Sequence, residues 1–397
     1  MSAPTPSPPR ASNSHAMLDL TMFPHVADGI LGACDFHDLL TLRQTSRAMC
    51  DRVDTLMTAH MTVNANHLDT MEPHLTTPLG VVPVLKSCVG QWNMPDRLTW
   101  THKRVCAALS RTTTLDITSI LAASERLAPT RLGTAEPFAN LQCVRLYPMI
   151  LHDYTSHQLA FSAPKVVVFG AMNYHYWRDP STSQLDGMVK FLPTSVLPRG
   201  TRKLVINITG EDIVCGVDEP PGNDMDAISL SLTDVVFIFD RHSFQGNGQW
   251  RWGFPNPSSK KRMWFVMFIL HFLGEPLSNR SVTFVDFDKI DFNCMFLGEP
   301  RSPNAAALTA ALHLFVDQQR ASETGTRSSS FSDGSRASEL QQLHGRIDSA
   351  VHFVSLSDYA GRVGWPEVEL ESRPDVQKDD SLSPTFQSLL DLQALIG

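Results

Sequence analysis

Seven short β-rich runs recur along this chain from residue 114 onward and constrain its fold more than any other feature. They are TLDIT (114–118), LQCVRL (141–146), KVVVFG (165–170), RKLVINI (202–208), DVVFIFD (234–240), SVTFVDF (281–287) and AVHFVSL (350–356). Several are nearly unbroken stretches of apolar residues. A strand with one wet face alternates apolar and polar side chains, whereas an unbroken run belongs to a strand covered on both faces. Between the runs lie segments with helical character: 119–127, 184–192, 263–273 and 304–320. Strands that alternate with helices predict an α/β fold with a parallel sheet joined by right-handed crossovers.

The strand centres are roughly 20 to 50 residues apart, further at the last step, and the period is uneven. Strands such as TLDIT and LQCVRL, each followed by a helix or loop, resemble a degenerate leucine-rich-repeat layer. The regular L-x-x-L-x-L signature is missing. A compact α/β domain is the competing picture, and either spans residues 80–397. The Ser/Thr/Gly-rich stretch 321–338 reads as a disordered insertion within it. A final amphipathic helix is expected from Ser383 and Pro384, with Phe386, Leu389, Leu390, Gln393 and Ile396 near one face.

Before the strands comes a different region. Residues 1–17 are Pro/Ser-rich and read as disordered, with no apolar signal core. Residues 18–60 read as a small helical module. Pro24 suits a first helical position, where its missing N–H costs nothing. Val26, Ile30 and Ala33 recur at helical spacing, with Ala27, Leu31 and Cys34 beside them. Asp35 is placed to cap a second helix, and Ser46 a third. Leu39, Leu42, Ser46, Met49, Val53 and Leu56 make one seam. Arg43, Arg47 and Arg52 fall outside the seam, free to stay solvated. A polar connection follows, through Pro73, Pro78 and Pro83.

The ordered set Phe23-Pro24, Val26, Ile30-Leu31, Asp38-Leu39-Leu40, Leu42-Arg43 and Ser46-Arg47 resembles an F-box. That module docks a protein onto the Skp-family adaptor of a cullin ubiquitin ligase. Phe23, Thr45 and Met49 depart from the family pattern, which more often has Leu, Val and Trp there. The resemblance implies that Phe23, Pro24, Val26, Ile30, Leu31, Leu39, Leu40 and Leu42 supply the adaptor-facing and module-core positions. It also implies a substrate-recognition subunit whose α/β region holds a protein target, in the cytoplasm or nucleus. The stretch DYAGRVGWPEVELE (358–371) adds a resemblance to fungal F-box-type proteins. The alternative is a stand-alone interaction scaffold whose N-terminal helices pack on its own α/β domain. Partial exposure of Leu39, Leu40 or Pro24 would point to docking, and burial of all three to the scaffold.

Composition narrows the field. Hydrophobic residues make up 42% and charged residues 19%, the balance of an ordinary globular chain. A net charge of −8 argues against phosphate-neutralising nucleic-acid binding, and the cluster Lys260-Lys261-Arg262 is too short to reverse it. The run MWFVMFILHFL (263–273) falls short of the ~20 residues of a membrane span, so a buried helix or strand is expected. Cys34, Cys50, Cys88, Cys106, Cys143, Cys215 and Cys294 form no C-x-x-C pair, which speaks against a zinc site or a disulfide framework. No nucleophile elbow, phosphate loop or H-E-x-x-H motif occurs. The acidic run VDEPPGNDMD lacks EF-hand spacing. Tyr174, His175, Tyr176 and Trp177, and also Trp250 and Trp252, read as core caps or recognition residues. No catalytic residue, metal or cofactor is expected.

Overall fold

The computed structural model describes residues 24–65, 73–77, 100–118, 138–147, 159, 161–169, 172–178, 185–191, 197–208, 216–217, 231–239, 262–274, 279–289, 304–326 and 333–372. Phe23, the terminal segments 1–17 and 383–397, the segment 119–127, the acidic run 218–226 and Trp250 and Trp252 lie outside them. The chain divides into two compact units, one ending at Asp54 and the next beginning at Thr55.

The first unit consists of helices. Helix α1 spans Pro24–Ala33, α2 Phe36–Arg43, and α3 Arg47–Thr58 runs on past the unit's end. Asp35 caps α2 by accepting the Asp38 N–H at 2.8 Å, and Ser46 Oγ accepts the Met49 N–H at 3.1 Å at the head of α3. Ala27, Leu31, Leu39, Met49 and Val53 are buried. The expected seam ends differently: Leu56 is exposed and Met57 is buried in its place, four residues after Val53. Arg43 is not solvated either. Its Nε and Nη2 grip Asp54 Oδ1 and Oδ2 at 2.6 and 3.2 Å. That hydrogen bond holds the guanidinium pKa up against partial burial.

The second unit is α/β. Its strands are β1 (His60–Ala65), β2 (Pro73–Thr76), β3 (Thr114–Ile117), β4 (Cys143–Leu146), β5 (Lys165–Phe169), β6 (Met172–Arg178), β7 (Leu185–Phe191), β8 (Lys203–Ile208), β9 (Gly216–Val217), β10 (Asp234–Phe239), β11 (Arg262–Met263), β12 (Ser281–Val285) and β13 (Val351–Val354). The helices are α4 (Trp100–Arg111), α5 (Trp264–Gly274), α6 (Asn304–Thr326), α7 (Asp333–Ala350), α8 (Leu356–Val363) and α9 (Trp365–Ser372). A 3-10 turn covers Phe287–Lys289.

Among the described residues the main sheet runs β13-β12-β10-β8-β5-β4-β3-β1-β2. Every pair is parallel except β1 with β2, so eight parallel strands lie side by side in chain order. All seven expected strands belong to this series. A series in which each new strand adds to the same edge is the order that right-handed crossovers over one face generate.

The register explains which face. Met61, Leu115, Val144, Val166, Leu204, Val235, Val282 and Val351 form one cross-strand row. Two residues on, Val63, Ile117, Leu146, Val168, Ile206, Phe237, Phe284 and Phe353 form another. Both rows are wholly apolar. Phe237 stacks on Phe284 at 5.1 Å and meets Phe268 of α5 edge-on at 6.3 Å, so α5 covers this face.

The opposite face is mixed. One of its rows reads Thr62, Asp116, Arg145, Val167, Val205, Val236, Thr283, His352. Helices α8 and α9 seal part of it, with Tyr359, Ala360 and Val368 packed among Val167, Val205, Val236 and Ile238. Asp286, in the left-handed region at φ 59, turns the chain after β12 and accepts the Leu356 N–H at 2.8 Å, which tethers the start of α8. Gly364 at φ 90 separates α8 from α9, a conformation that costs glycine little.

Three sequence readings are corrected. The polar connection after the helical module carries β1 and β2, which extend the sheet, so the α/β unit starts well before residue 80. Segment 184–192, read as a helix, forms β7 of an antiparallel hairpin with β6. Leu185, Val189 and Phe191 satisfy a two-residue period, while Leu185, Met188, Val189 and Leu192 satisfy a helical one, and pairing with β6 decides. The stretch 321–338 is helical at both described ends, as the end of α6 and the start of α7.

Candidate functional site

The residues singled out on the N-terminal helices separate into two groups. Leu31 and Leu39 are 4% and 1% exposed and form the interior of their unit. Leu40 and Leu42 are half-buried. Val26 and Ile30 are 42% and 47% exposed. They stand four residues apart, so they lie one above the other on the outer side of α1. The inner side is set by Ala27 and Leu31, one position later in each turn. Pro24 begins α1, and its side chain lies outside the described residues. The apolar surface therefore consists of two branched aliphatic side chains flanked by exposed His25, Asp28 and Gly29. Asp28 Oδ1 accepts from Arg52 Nε at 3.1 Å, which ties α1 to α3 beside this ridge.

A second constellation was not foreseen. Lys165 and Lys203 are register partners on the mixed face of the sheet. Both reach α9, where Glu367 and Glu371 stand one turn apart. Lys165 Nζ pairs with Glu367 Oε1 and lies 3.5 Å from Glu371 Oε1, while Lys203 Nζ donates to the same Glu371 oxygen at 2.5 Å. Tyr359 O–H donates to Glu371 Oε2 at 2.6 Å, and Asn207 Nδ2 donates to the Glu371 carbonyl at 2.7 Å. Glu371 is fully buried, yet two ammonium groups and a phenol engage its carboxylate.

The electrostatics follow from that pairing. Burial works against the Lys165 ammonium, but Cys143, Glu367 and Glu371 around it more than reverse this, and its pKa rises. Burial would raise Glu367, and the Lys165 hydrogen bond and charge bring it below its ordinary value. Burial pushes the Cys143 thiol up to about 12, despite nearby Lys165 and Arg145, so it stays protonated at neutral pH. Burial, then the Glu371 charge, also drives the Tyr359 phenol upward. The cluster is a closed set of mutually engaged charges that fastens α9 to the sheet.

Beside it, Arg145 Nη2 donates to Tyr147 Oη at 2.6 Å, and Tyr147 O–H donates to Asp116 Oδ2 at 3.1 Å. His60 Nε2 lies 3.0 Å from Asp116 Oδ1. The Arg145 guanidinium also sits 5.1 Å from the Phe169 ring centroid. Tyr174, His175, Tyr176 and Trp177 are consecutive residues of β6, and their side chains lie outside the described residues. Among the described residues no group of three or more His, Cys, Asp and Glu is arranged to hold a metal ion. No described helix is long and apolar enough to cross a membrane.

No family model matches the chain, and no curated protein or solved structure shows significant similarity to it.

Proposed function

We propose that this protein is a substrate-recognition subunit of a cullin-type ubiquitin ligase. Its N-terminal helices dock on a Skp-family adaptor, and its leucine-rich-repeat-like α/β region holds a protein target in the cytoplasm or nucleus. The observation that carries the reading is the pair Val26 and Ile30. Two large aliphatic side chains stand exposed on a helix whose Ala27 and Leu31 are buried, on a module small enough that it has little interior to spare. Burial of Leu31 and Leu39 supports their role as module core rather than contact surface. Eight parallel strands in chain order, with the crossover face wholly apolar, support the repeat-like reading of the α/β region. No residue of this chain performs chemistry in this scheme.

Adaptor co-purification tests it. A charge at Leu39 would disrupt the helical unit itself, so the informative variant is Val26→Asp with Ile30→Asp. The native chain is expected to retain the adaptor and the variant to lose it, with the circular dichroism of both unchanged. Retention by both, or by neither, overturns the docking reading, and absence from the native chain leaves the interaction scaffold in its place.

A further inference from the structure

Helices α6 and α7 pack on each other and carry four titratable side chains with no part in adaptor docking. His313 and Asp317 stand one turn apart on α6, and His344 and Asp348 one turn apart on α7. They pair crosswise. His313 Nε2 is 3.0 Å from Asp348 Oδ1, and His344 Nε2 is 3.2 Å from Asp317 Oδ1. The rings then meet through their other nitrogens, with Nδ1 to Nδ1 at 2.7 Å and a ring-centroid distance of 4.6 Å.

Hydrogen-bond valence fixes the proton inventory. An ionised carboxylate only accepts, so each Nε2 carries a proton. Two nitrogens at 2.7 Å need one donor and one acceptor, so one Nδ1 carries a proton and the other does not. Three protons on two rings, one imidazolium and one neutral imidazole, satisfy all of these contacts at once.

We propose that His313 and His344 form a proton-counted latch, which holds α6 against α7 most tightly when the pair carries one positive charge. Loss of that proton sets two lone pairs face to face, or one against a carboxylate. A second added proton drives two N–H groups together across the same gap. Imidazole is the side chain that changes charge between about pH 5 and 8. Among the described residues, Asp317 and Asp348 are the charged side chains that contact the two rings. The packed neighbours contribute His271 on α5, Asp288 in the 3-10 turn and His352 on β13, while Arg346 of α7 donates to the Leu273 carbonyl at 3.1 Å. Beneath the latch lie buried Leu308, Leu312, Val316 and Ile347, so its release loosens the cover over an apolar face.

Amide hydrogen exchange on the full chain, corrected for intrinsic rates across pH 5 to 8, tests the latch. Protection of α6 and α7 is expected to pass through a maximum and fall about fivefold on either side, the scale of half-exposed charged contacts. His344→Gln should flatten that profile, and Asp288→Asn should leave it unchanged. Nitrogen-detected NMR of the native histidines should find both Nε2 sites protonated and a single proton on the Nδ1 pair at the maximum. A flat or monotonic native profile, or two rings titrating independently, overturns the proposal. So does protection that rises with added zinc and collapses with chelator, because the Nδ1 atoms would then hold a metal.

Discussion

Helices α1 and α5 are both rich in large apolar residues, and the molecule treats them oppositely. In α5, Phe268, Ile269, Leu270, Phe272 and Leu273 are all buried, so the described part of the helix is covered over more than half its circumference. In α1 the buried residues are Ala27 and Leu31, while Val26 and Ile30 face outward. The difference is one of available partners rather than of composition. Helix α5 lies on a sheet face made of two uninterrupted apolar rows and is flanked by α6 and α7. Helix α1 belongs to a unit of short helices that can cover only one of its sides. The docking proposed above rests on that exposed pair.

The largest test of this contrast is Phe272→Ala in α5. It should lower stability by about 3–5 kcal/mol through lost burial and an unfilled cavity, read from urea unfolding. Loss of less than a third of that would mean α5 is not the keystone its burial implies.

The next test concerns α9, which lies between the extremes because it buries charge. Glu371→Gln leaves Lys165 and Lys203 without their shared counter-charge and should cost about 2–3 kcal/mol. The parent contact also predicts a pH window. Glu367 sits below its ordinary 4.5, so its contribution is complete above pH 4.5 and lost as pH falls through the lowered value. Lys165 sits above its ordinary 10.5, so its contribution is complete below pH 10.5 and lost as pH rises through the raised value. Exchange protection of residues 356–372 should be level between those limits and decline outside them. A decline centred near neutrality would assign the docking of α9 to other groups.

The smallest effect belongs to α1. A methyl group at Gly29 would meet no atom within 4 Å. Gly29→Ala should therefore stabilise the helical unit by about 0.5–1 kcal/mol and leave adaptor retention intact, measured by thermal unfolding. If it abolished retention, the contact surface would have to include the backbone around Gly29 as well as the Val26–Ile30 ridge.

These helices also show what the amino-acid order discloses and what it withholds. The seven strands were legible from their β-rich runs, most plainly in β5, β8 and β10, where burial on both faces leaves a nearly unbroken apolar stretch. The hairpin of β6 and β7 was not, because its second strand satisfies two periods and only the partner decides. Strand β1 was hidden by its mixed polar and apolar make-up, HMTVNA, at the end of a helical stretch. On α1 the apolar positions were plain, but Val26 and Ala27 differ by one residue, and which of them faces inward depends on where α2 and α3 lie. The charged cluster was the least legible part. Lys165 and Lys203 become neighbours only through strand register, and Glu371 lies 168 residues from Lys203. The His313–His344 pair likewise needs two helices brought together across 31 residues.

Strand order has a consequence for how the chain is made. The eight parallel strands emerge from the ribosome in the order in which they stand, so each newcomer finds its neighbour already exposed. The sheet can grow as it is translated. Its mixed face has no such advantage: Lys165 must wait 202 residues for Glu367. Until α8 and α9 are synthesised, Val167, Val205 and Val236 lack the cover these helices provide. The nascent protein is then a finished sheet with an unfinished side, and in that interval its uncovered apolar residues are most open to aggregation.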